Sequence, residues 1–71
     1  MGNNIQLEIG RRLRQRREAL GLTQEELAHR AKSHRTYVGM LERAEKNVTV
    51  IALARFAEAL ETSLSELLEG I

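Results

Sequence analysis

Cysteine and proline are both absent from this chain of 71 residues, and no apolar run is long enough to cross a membrane. Without cysteine there can be no disulfide, thiolate nucleophile or cysteine-based zinc site. A membrane-spanning helix needs about 20 consecutive apolar residues, and the N-terminal segment lacks the apolar core of a signal peptide. We therefore expect a cytoplasmic protein with no disulfide, metal centre or other cofactor.

Charge is distributed unevenly along the chain, although the formal net charge is only +1. Residues 1–20 contain five arginines and two glutamates, a balance of +3, whereas residues 48–71 contain one arginine and four glutamates, a balance of −3. This asymmetry predicts a basic face separated from an acidic one. Nucleic acid is one partner that such a face would suit, and ordinary solvated helix surfaces explain the same pattern.

Helical periodicity runs through nearly the whole sequence, which predicts one all-α domain over residues 1–71. Helix 1 is predicted over Ile5–Leu20, and Gly21 supplies a left-handed stop. The apolar residues on its inner face are Ile5, Ile9, Leu13 and Leu20. The arginines outside that face are Arg11, Arg12, Arg14 and Arg16. These arginines either keep the helix soluble or contact phosphates.

The segment Thr23–Arg43 predicts two short helices joined by a tight turn, and the rest of the chain is organised around it. A capping box, Thr23-Gln24-Glu25-Glu26, opens helix 2. The inner face of helix 2 consists of Leu27, Ala28 and Ala31, and the alanines let another helix approach closely. Ser33 is predicted as the N-cap of helix 3, which spans about His34–Arg43.

The residues on the outward side of helix 3 predict that this helix enters the major groove of DNA. Its residues are Arg35, Thr36, Gly39 and Met40. Arg35 suits a bidentate bond to the O6 and N7 atoms of guanine, and Thr36 offers a hydroxyl and a methyl group to base edges. Gly39 costs roughly 1 kcal/mol in a helix interior relative to alanine. We therefore expect another backbone, or DNA, to approach closely at Gly39.

Polar residues on either side of helix 3 are candidates for phosphate contacts. Gln24 stands at the first position of helix 2, where a side-chain amide beside free backbone N–H groups can hold a phosphate. Lys46 and Asn47 lie in a polar loop and can donate hydrogen bonds to phosphates. The alternative is that all three are ordinary exposed polar residues.

Helices 4 and 5 are predicted to provide both core and dimer surface. Helix 4 runs from the N-cap Thr49 to about Leu60, with a core stripe of Leu53, Phe56, Ala57 and Leu60. A second capping box, Ser63-Leu64-Ser65-Glu66, opens helix 5. Apolar residues outside the core stripe suggest a subunit contact. The residues predicted at a homodimer interface are Val50, Ile51, Ala54, Leu64, Leu68 and Ile71.

Several spaced motifs resemble a known family of DNA-binding proteins. The pattern Thr23-Gln24-x-x-Leu27-Ala28, followed after nine residues by Val38 and then by Leu41-Glu42-Arg43, is similar to the phage-repressor/Cro (XRE) type of helix-turn-helix. The segment from Leu53 to Leu68 resembles the fourth and fifth helices of that family. Within the family, the segment from His34 to Thr49 resembles the controller proteins of type II restriction–modification systems.

The resemblance implies a compact five-helix domain, similar to the lambda repressor, that acts as a homodimeric transcriptional regulator. Such controllers bind operator DNA upstream of their own gene and the endonuclease gene, which they activate and, at higher occupancy, repress. The implied base-reading residues are Arg35, Thr36 and Met40, the last through a thymine methyl group. The implied DNA-backbone contacts are Gln24, Ser33, His34, Tyr37, Lys46, Asn47 and Thr49.

The resemblance also implies structural roles and one further partner. Arg17 and Glu42 match a family ion pair that ties helix 1 to helix 3. RNA polymerase is a candidate partner in activation, with Glu25 as the candidate contact. Ala44 and Glu61 stand where the family often has glycine, so helices 3 and 4 are expected to end differently from the common left-handed stop.

Three other functions are compatible with parts of the sequence. A phage repressor or an antitoxin would share the fold, and genomic neighbourhood would separate them from a controller. A helical interaction module that does not touch DNA would bind its partner with little dependence on salt. An enzyme is the least favoured, because no nucleophile, base and orienting residue form a recognisable set. Glu26, His29 and His34 have a spacing that fits no standard metal site.

Overall fold

The computed structural model describes residues 3–71, and these residues fold into five α-helices. The helices are α1 (Asn3–Ala19), α2 (Gln24–Arg30), α3 (Arg35–Glu42), α4 (Val50–Ala59) and α5 (Leu64–Leu67). Residues 3–71 include no β-strand. Within the same range, no helix combines the length and the apolar character that a membrane crossing requires. The predicted all-α, five-helix architecture is confirmed.

The hydrophobic core lies where the inner faces of the helices meet. Its most deeply buried side chains are Leu13, Leu27, Val38, Phe56 and Leu60. These residues belong to the faces that the helical periodicity predicts as internal. Ile5 departs from that prediction, because its side chain is 57% exposed. The reason is positional: the start of α1 lies against the loop between α3 and α4 rather than against the core.

Close packing of α1 on α3 depends on Gly10. A Cβ atom at Gly10 would collide with the carbonyl oxygen of Leu41 and would lie 3.0 Å from the carbonyl oxygen of Glu42. Only glycine therefore lets α1 approach the carboxyl end of α3 this closely. In the sequence, Gly10 is recognisable only as a glycine inside a strongly helical segment. The α3 backbone that makes glycine necessary there is visible only in the fold.

The predicted N-caps of α2, α4 and α5 are present. The backbone N–H of Glu26 donates to the Thr23 hydroxyl at 3.0 Å, and the Thr23 N–H donates to the Glu26 carboxylate at 2.8 Å. The second capping box, from Ser63 to Glu66, forms in the same reciprocal way. The Thr49 hydroxyl accepts from a backbone N–H at 3.0 Å. These local sequence signals therefore fix three helix starts without help from distant residues.

Ser33 was predicted to cap α3, and that prediction is wrong. His34 occupies the N-cap position, α3 begins at Arg35, and the His34 side chain makes no capping bond. Ser33 is unavailable because its backbone N–H donates to the Ala28 carbonyl at 2.8 Å, which closes the end of α2. In the turn between α2 and α3, Ser33 therefore belongs to the end of α2 and not to the start of α3.

The expectation that the ends of helices 3 and 4 depart from a left-handed stop is also wrong. Ala44 and Glu61 both have φ of 60°, and Lys32 after α2 has φ of 55°. In each case the next N–H bonds back to a carbonyl in the last turn of the helix, at 2.8–2.9 Å. Such hydrogen bonds offset the cost of the left-handed conformation in a residue with a side chain. Gly21, with φ of 71°, ends α1 as predicted.

Ala44→Gly should raise the free energy of unfolding by roughly 0.5–1 kcal/mol. Relief of the left-handed strain stabilises the folded state by about 1–2 kcal/mol. The larger conformational freedom of glycine stabilises the unfolded chain by about 0.4–1 kcal/mol. Urea denaturation would measure the difference. Ala19→Gly is the matched control, because Ala19 is helical and should lose stability. Destabilisation by both substitutions would show that Ala44 carries no relievable strain.

Candidate nucleic-acid interface

The outward face of α3 presents two rows of side chains. Arg35, Gly39 and Arg43 follow one another at four-residue steps along one row, and Thr36 and Met40 form the neighbouring row. Arg35 and Thr36 are exposed, and Met40 is half-buried. The three residues predicted to read bases therefore share one face, with its two most exposed members in the first turn of α3.

Gly39 is covered by side chains from its own helix and from α2. A Cβ atom at Gly39 would lie 3.0 Å from Nη1 of Arg43 and 3.6 Å from Oε1 of Gln24. Among residues 3–71, the close neighbours of Gly39 are thus side chains, and no second backbone approaches it in the way that the sequence predicted. The absence of a side chain at Gly39 leaves room for the Arg43 guanidinium beside the Gln24 amide.

A buried ion pair fixes α3 relative to α1. Arg17 donates from Nε to Oε2 of Glu42 at 2.7 Å and from Nη2 to Oε1 at 3.1 Å. The side chains of Arg17 and Glu42 are only 11% and 4% exposed. Nη1 of Arg17 donates to the Leu22 carbonyl at 2.8 Å, which also ties down the turn before α2. The bond to Glu42 raises the pKa of Arg17, so the guanidinium stays charged.

Gln24 joins the same network. Its Nε2 donates to Oε1 of Glu42 at 3.0 Å. Glu42 therefore holds side chains from α1 and from the first position of α2 at once. This contact directs Oε1 of Gln24 towards Gly39, which fixes the amide at the amino end of α2. Gln24, a predicted DNA-backbone contact, is therefore also part of the scaffold that orients α2 and α3.

The loop between α3 and α4 carries the remaining predicted phosphate contacts. Lys46 and Asn47 are exposed, and Oδ1 of Asn47 accepts a hydrogen bond from the Gln6 amide of α1. The Thr49 oxygen accepts from the Ala52 N–H at 3.0 Å, so this hydroxyl caps α4. The loop is therefore anchored at Asn47 and Thr49, and Lys46 is exposed directly before Asn47.

Three more predicted backbone contacts lie around the amino end of α3. His34 is exposed, whereas Ser33 and Tyr37 are half-buried. The Tyr37 ring packs on Phe56 of α4, with ring centroids 6.1 Å apart and a tilt of 34°. Tyr37 thus contributes to the core with its ring.

The arginines of α1 are held by contacts within the molecule. Arg12 donates to the Leu67 carbonyl at 3.0 Å, and Arg16 donates to the Leu60 carbonyl at 2.9 Å. They therefore satisfy free carbonyls at the carboxyl ends of α5 and α4. Arg11 pairs with Glu8, and Arg14 pairs with Glu18. Arg12 and Arg16 are accordingly engaged in structural contacts, whereas Arg11 and Arg14 lie in exposed pairs.

Two cations on or next to α3 have no ion-pair partner. Among residues 5–71, Arg35 and Lys46 form no ion pair, as is also true of Arg16, Lys32 and Arg55. Arg35 lies on the outward face of α3, and Lys46 lies in the loop that follows that helix. Positive charge that remains available to an anionic partner is therefore present on the face predicted to meet DNA.

Arg43 belongs to this surface, although the sequence interpretation does not single it out. It lies in the row that begins with Arg35 and is more than half exposed. The repeated four-residue spacing is the signal that could have identified it. Unlike Arg35, it is paired, because its guanidinium contacts the Glu45 carboxylate.

The residues predicted at a dimer interface fall into two groups. Val50 and Ile51 are 71% and 72% exposed at the start of α4, and Ala54 is exposed one turn later. Leu64 and Leu68 are half-buried against the core, and Ile71 is 47% exposed. Ala54 and Leu64 line one groove between α4 and α5. Among the predicted interface residues, the most exposed apolar side chains thus lie on α4, and α1 exposes Ile5 and Leu7 as well.

Residues 13–67 match the family model described as helix-turn-helix. The chain belongs to the helix-turn-helix family. The control protein C.SmaI of Serratia marcescens is 43% identical over 60 residues, which cover 84% of this chain and 71% of that protein. The control protein C.BamHI of Bacillus amyloliquefaciens is 36% identical over 70 residues, covering 97% of this chain and 86% of that protein.

Solved structures of helix-turn-helix proteins agree with this assignment. The restriction–modification controller protein C.AhdI of Aeromonas hydrophila is 40% identical, with a TM-score of 0.85 over 87% of this chain and 94% of that one. The predicted resemblance to controller proteins is therefore confirmed. Membership of the helix-turn-helix family makes the protein a non-enzymatic, DNA-binding transcriptional regulator.

Proposed function

We propose that this helix-turn-helix protein is the controller of a restriction–modification system. In this proposal it binds operator DNA as a homodimer, activates its own gene and the endonuclease gene, and represses them at higher occupancy. The relatives named as control proteins support the proposal. The observation that carries it is the outward face of α3, where Arg35 is exposed and unpaired among residues 5–71.

In this mechanism α3 enters the major groove, and the residues around it hold the DNA backbone. Arg35 reads a guanine, and Thr36 and Met40 contact neighbouring base edges or a thymine methyl. The residues assigned to backbone contacts are Gln24, Ser33, His34, Tyr37, Lys46, Asn47 and Thr49. Such contacts set orientation, whereas the base contacts set sequence preference.

The homodimer in this proposal forms through the outer face of α4 and the C-terminal residues. Val50 and Ile51 are large apolar side chains that lie mostly in solvent in the isolated chain, which favours their burial by a second subunit. A two-fold dimer places its two recognition helices on half-sites about 34 Å apart. The proposed operator is therefore pseudo-palindromic, and the domain spanning residues 1–71 supplies both DNA contacts and dimer contacts.

Ile51→Glu should convert the dimer to a folded monomer. Ile51 is 72% exposed, so a carboxylate there costs the monomer little, whereas burial of that carboxylate in an apolar interface is strongly unfavourable. Sedimentation velocity across a concentration series measures the assembly state, and circular dichroism verifies the fold. Leu68 is a poorer test position, because it packs partly against the core.

Leu7→Glu is the matched control for dimerisation. Leu7 is 56% exposed on α1, so the substitution adds the same charge to another apolar site outside the proposed interface. This variant should sediment like the wild type. A dimer that survives Ile51→Glu, or one that Leu7→Glu also dissociates, would place the interface elsewhere.

Activation of transcription further requires a contact with RNA polymerase. Glu25 is exposed in the first turn of α2, next to the residues assigned to DNA. We assign it as the acidic contact to polymerase, because a residue at this position is accessible while α3 occupies the groove.

The experiment that tests the proposed function is a gel-shift titration with the DNA upstream of the protein's own gene. A scrambled duplex serves as competitor, and the titration is repeated at two salt concentrations. A salt-sensitive, sequence-preferring shift in two steps is expected, since dimers would fill paired operators and phosphate contacts release counterions. A preference for other DNA alone would favour a repressor or antitoxin, and no shift by the dimer would reject operator binding.

A further inference from the structure

Arg43 occupies a central position on the surface proposed to bind DNA. It follows α3 as the C-cap residue and stands in the same row as Arg35 and Gly39. Its Nη1 lies 3.0 Å from the Cβ position of Gly39, next to the Gln24 amide at the amino end of α2. The guanidinium therefore lies over Gly39 on the outward face of α3, where its N–H groups could donate to a phosphate.

The Arg43 guanidinium is already bound by a carboxylate of the same chain. Nε donates to Oε2 of Glu45 at 3.0 Å, and Nη2 donates to Oε1 at 3.2 Å. This parallel, bidentate arrangement is also the way an arginine binds a phosphate. The Arg43 bond lowers the pKa of Glu45, so the carboxylate is ionised at neutral pH.

The backbone after α3 positions Glu45 for this contact. Ala44 adopts φ of 60°, and the Glu45 N–H donates to the Met40 carbonyl at 2.8 Å. The chain therefore reverses at Ala44 and returns the Glu45 side chain to Arg43. Both side chains remain more than half exposed, at 58% and 54%. An exposed pair of this kind is weak and can exchange one anion for another.

We propose that Glu45 occupies the position of a DNA phosphate on Arg43 and thereby lowers the affinity of the protein for DNA. This inference rests on the DNA-binding role proposed above. On binding, Arg43 transfers its two hydrogen bonds from the Glu45 carboxylate to a phosphate oxygen pair, and the displaced carboxylate adds repulsion. Because phosphates carry no sequence information, Glu45 sets the concentration at which operators are filled and leaves base preference unchanged.

Glu45→Gln tests the proposal, because glutamine keeps the shape of the side chain and removes its charge. Fluorescence anisotropy would measure binding to the upstream duplex and to a scrambled duplex of equal length, over a salt series. We expect binding to both duplexes to tighten by about two- to fivefold at low salt, as the strength of an exposed ion pair allows. The ratio of the two affinities should stay constant.

The matched control is Glu61→Gln. Glu61 forms a similar exposed pair with Arg30 at 3.3 Å, and its substitution makes the same change in net charge away from α3. The second test is Arg43→Ala, which should weaken binding to both duplexes and reduce the salt slope by about one. Adding Glu45→Gln to Arg43→Ala should give little further gain, because the proposed competition needs the guanidinium.

The outcomes separate this proposal from the proposed function. Suppose that the wild type binds DNA. If Glu45→Gln then binds no more tightly than the wild type, or no more tightly than Glu61→Gln, the competition by Glu45 is rejected while DNA binding stands. A full gain from Glu45→Gln in the Arg43→Ala background also rejects it, because the effect would then be general repulsion. Failure of wild type and Glu45→Gln alike to bind either duplex overturns both proposals.

Discussion

Glu42→Ala should lower the free energy of unfolding by about 3–5 kcal/mol, the largest effect that we expect from a single substitution. Glu42 is almost fully buried, and its carboxylate accepts from Arg17 and Gln24. Its removal leaves the Arg17 side chain, 11% exposed in the intact protein, with only Glu18 at 3.9 Å as a counter-ion. A domain of this size is only marginally stable, so a loss of this magnitude would leave a large fraction unfolded.

Urea denaturation followed by circular dichroism measures this loss. Glu58→Ala is the control, because Glu58 is an exposed carboxylate on α4 and should change stability by less than about 0.5 kcal/mol. The double variant Arg17→Met, Glu42→Leu should recover much of the loss, since apolar residues can replace a buried pair. A Glu42→Ala protein as stable as the control would show that the pair contributes nothing to the fold.

Arg35→Ala should lower specific operator binding by roughly 1–3 kcal/mol and relax the preference at one base pair. The expected cause is loss of a bidentate bond to guanine, because Arg35 is exposed on the outward face of α3. Binding to a scrambled duplex should change much less. The measurement is a competition titration in which the operator is varied one base pair at a time.

Lys46→Ala is the comparison for Arg35→Ala. Lys46 is exposed in the loop after α3, where its ammonium group can reach a phosphate. Its loss should weaken binding to operator and scrambled DNA equally and make the salt dependence shallower. If Arg35→Ala instead lowered both affinities equally, Arg35 would be another phosphate contact, and base reading would have to lie with Thr36 and Met40.

Glu42→Ala and Arg35→Ala distinguish a residue that stabilises the fold from a residue proposed to read DNA bases. Glu42 and Arg35 belong to the same short helix, yet one faces α1 and α2 whereas the other faces solvent. Helical periodicity places them on different sides. We therefore expect Glu42→Ala to act on DNA binding through unfolding and through release of Gln24, and Arg35→Ala to leave the unfolding curve unchanged.

Helix number, helix type and most helix starts could be predicted from the sequence, because local interactions determine them. The capping boxes at Thr23 and Ser63 link residues only three positions apart. The core stripe of α4 likewise follows from its own periodicity. Motif spacing also identified the family. Each of these features depends on neighbours along the chain, so it can be found without a fold.

The errors in prediction arise where backbone hydrogen bonds at helix ends, or tertiary packing, outweighed the pattern of side chains. Ser33 has the chemistry of an N-cap, but its N–H is used by the end of α2. Ile5 has the spacing of a core residue, but α1 extends past the core at that end. Ala44 and Glu61 lack the freedom of glycine, yet backbone hydrogen bonds hold both in the left-handed conformation.

The sequence by itself determined the helices, their order and the family, and it predicted most of the residues that are now proposed to meet DNA. Only the tertiary structure decided which charged groups remain available. Arg12 and Arg16 are used at helix ends, Arg43 is held by Glu45, and Arg35 is left without an ion pair among residues 5–71. The physical reason is that a charge becomes free or paired through neighbours in space, and for Arg12 and Arg16 those neighbours lie more than forty positions away in the sequence.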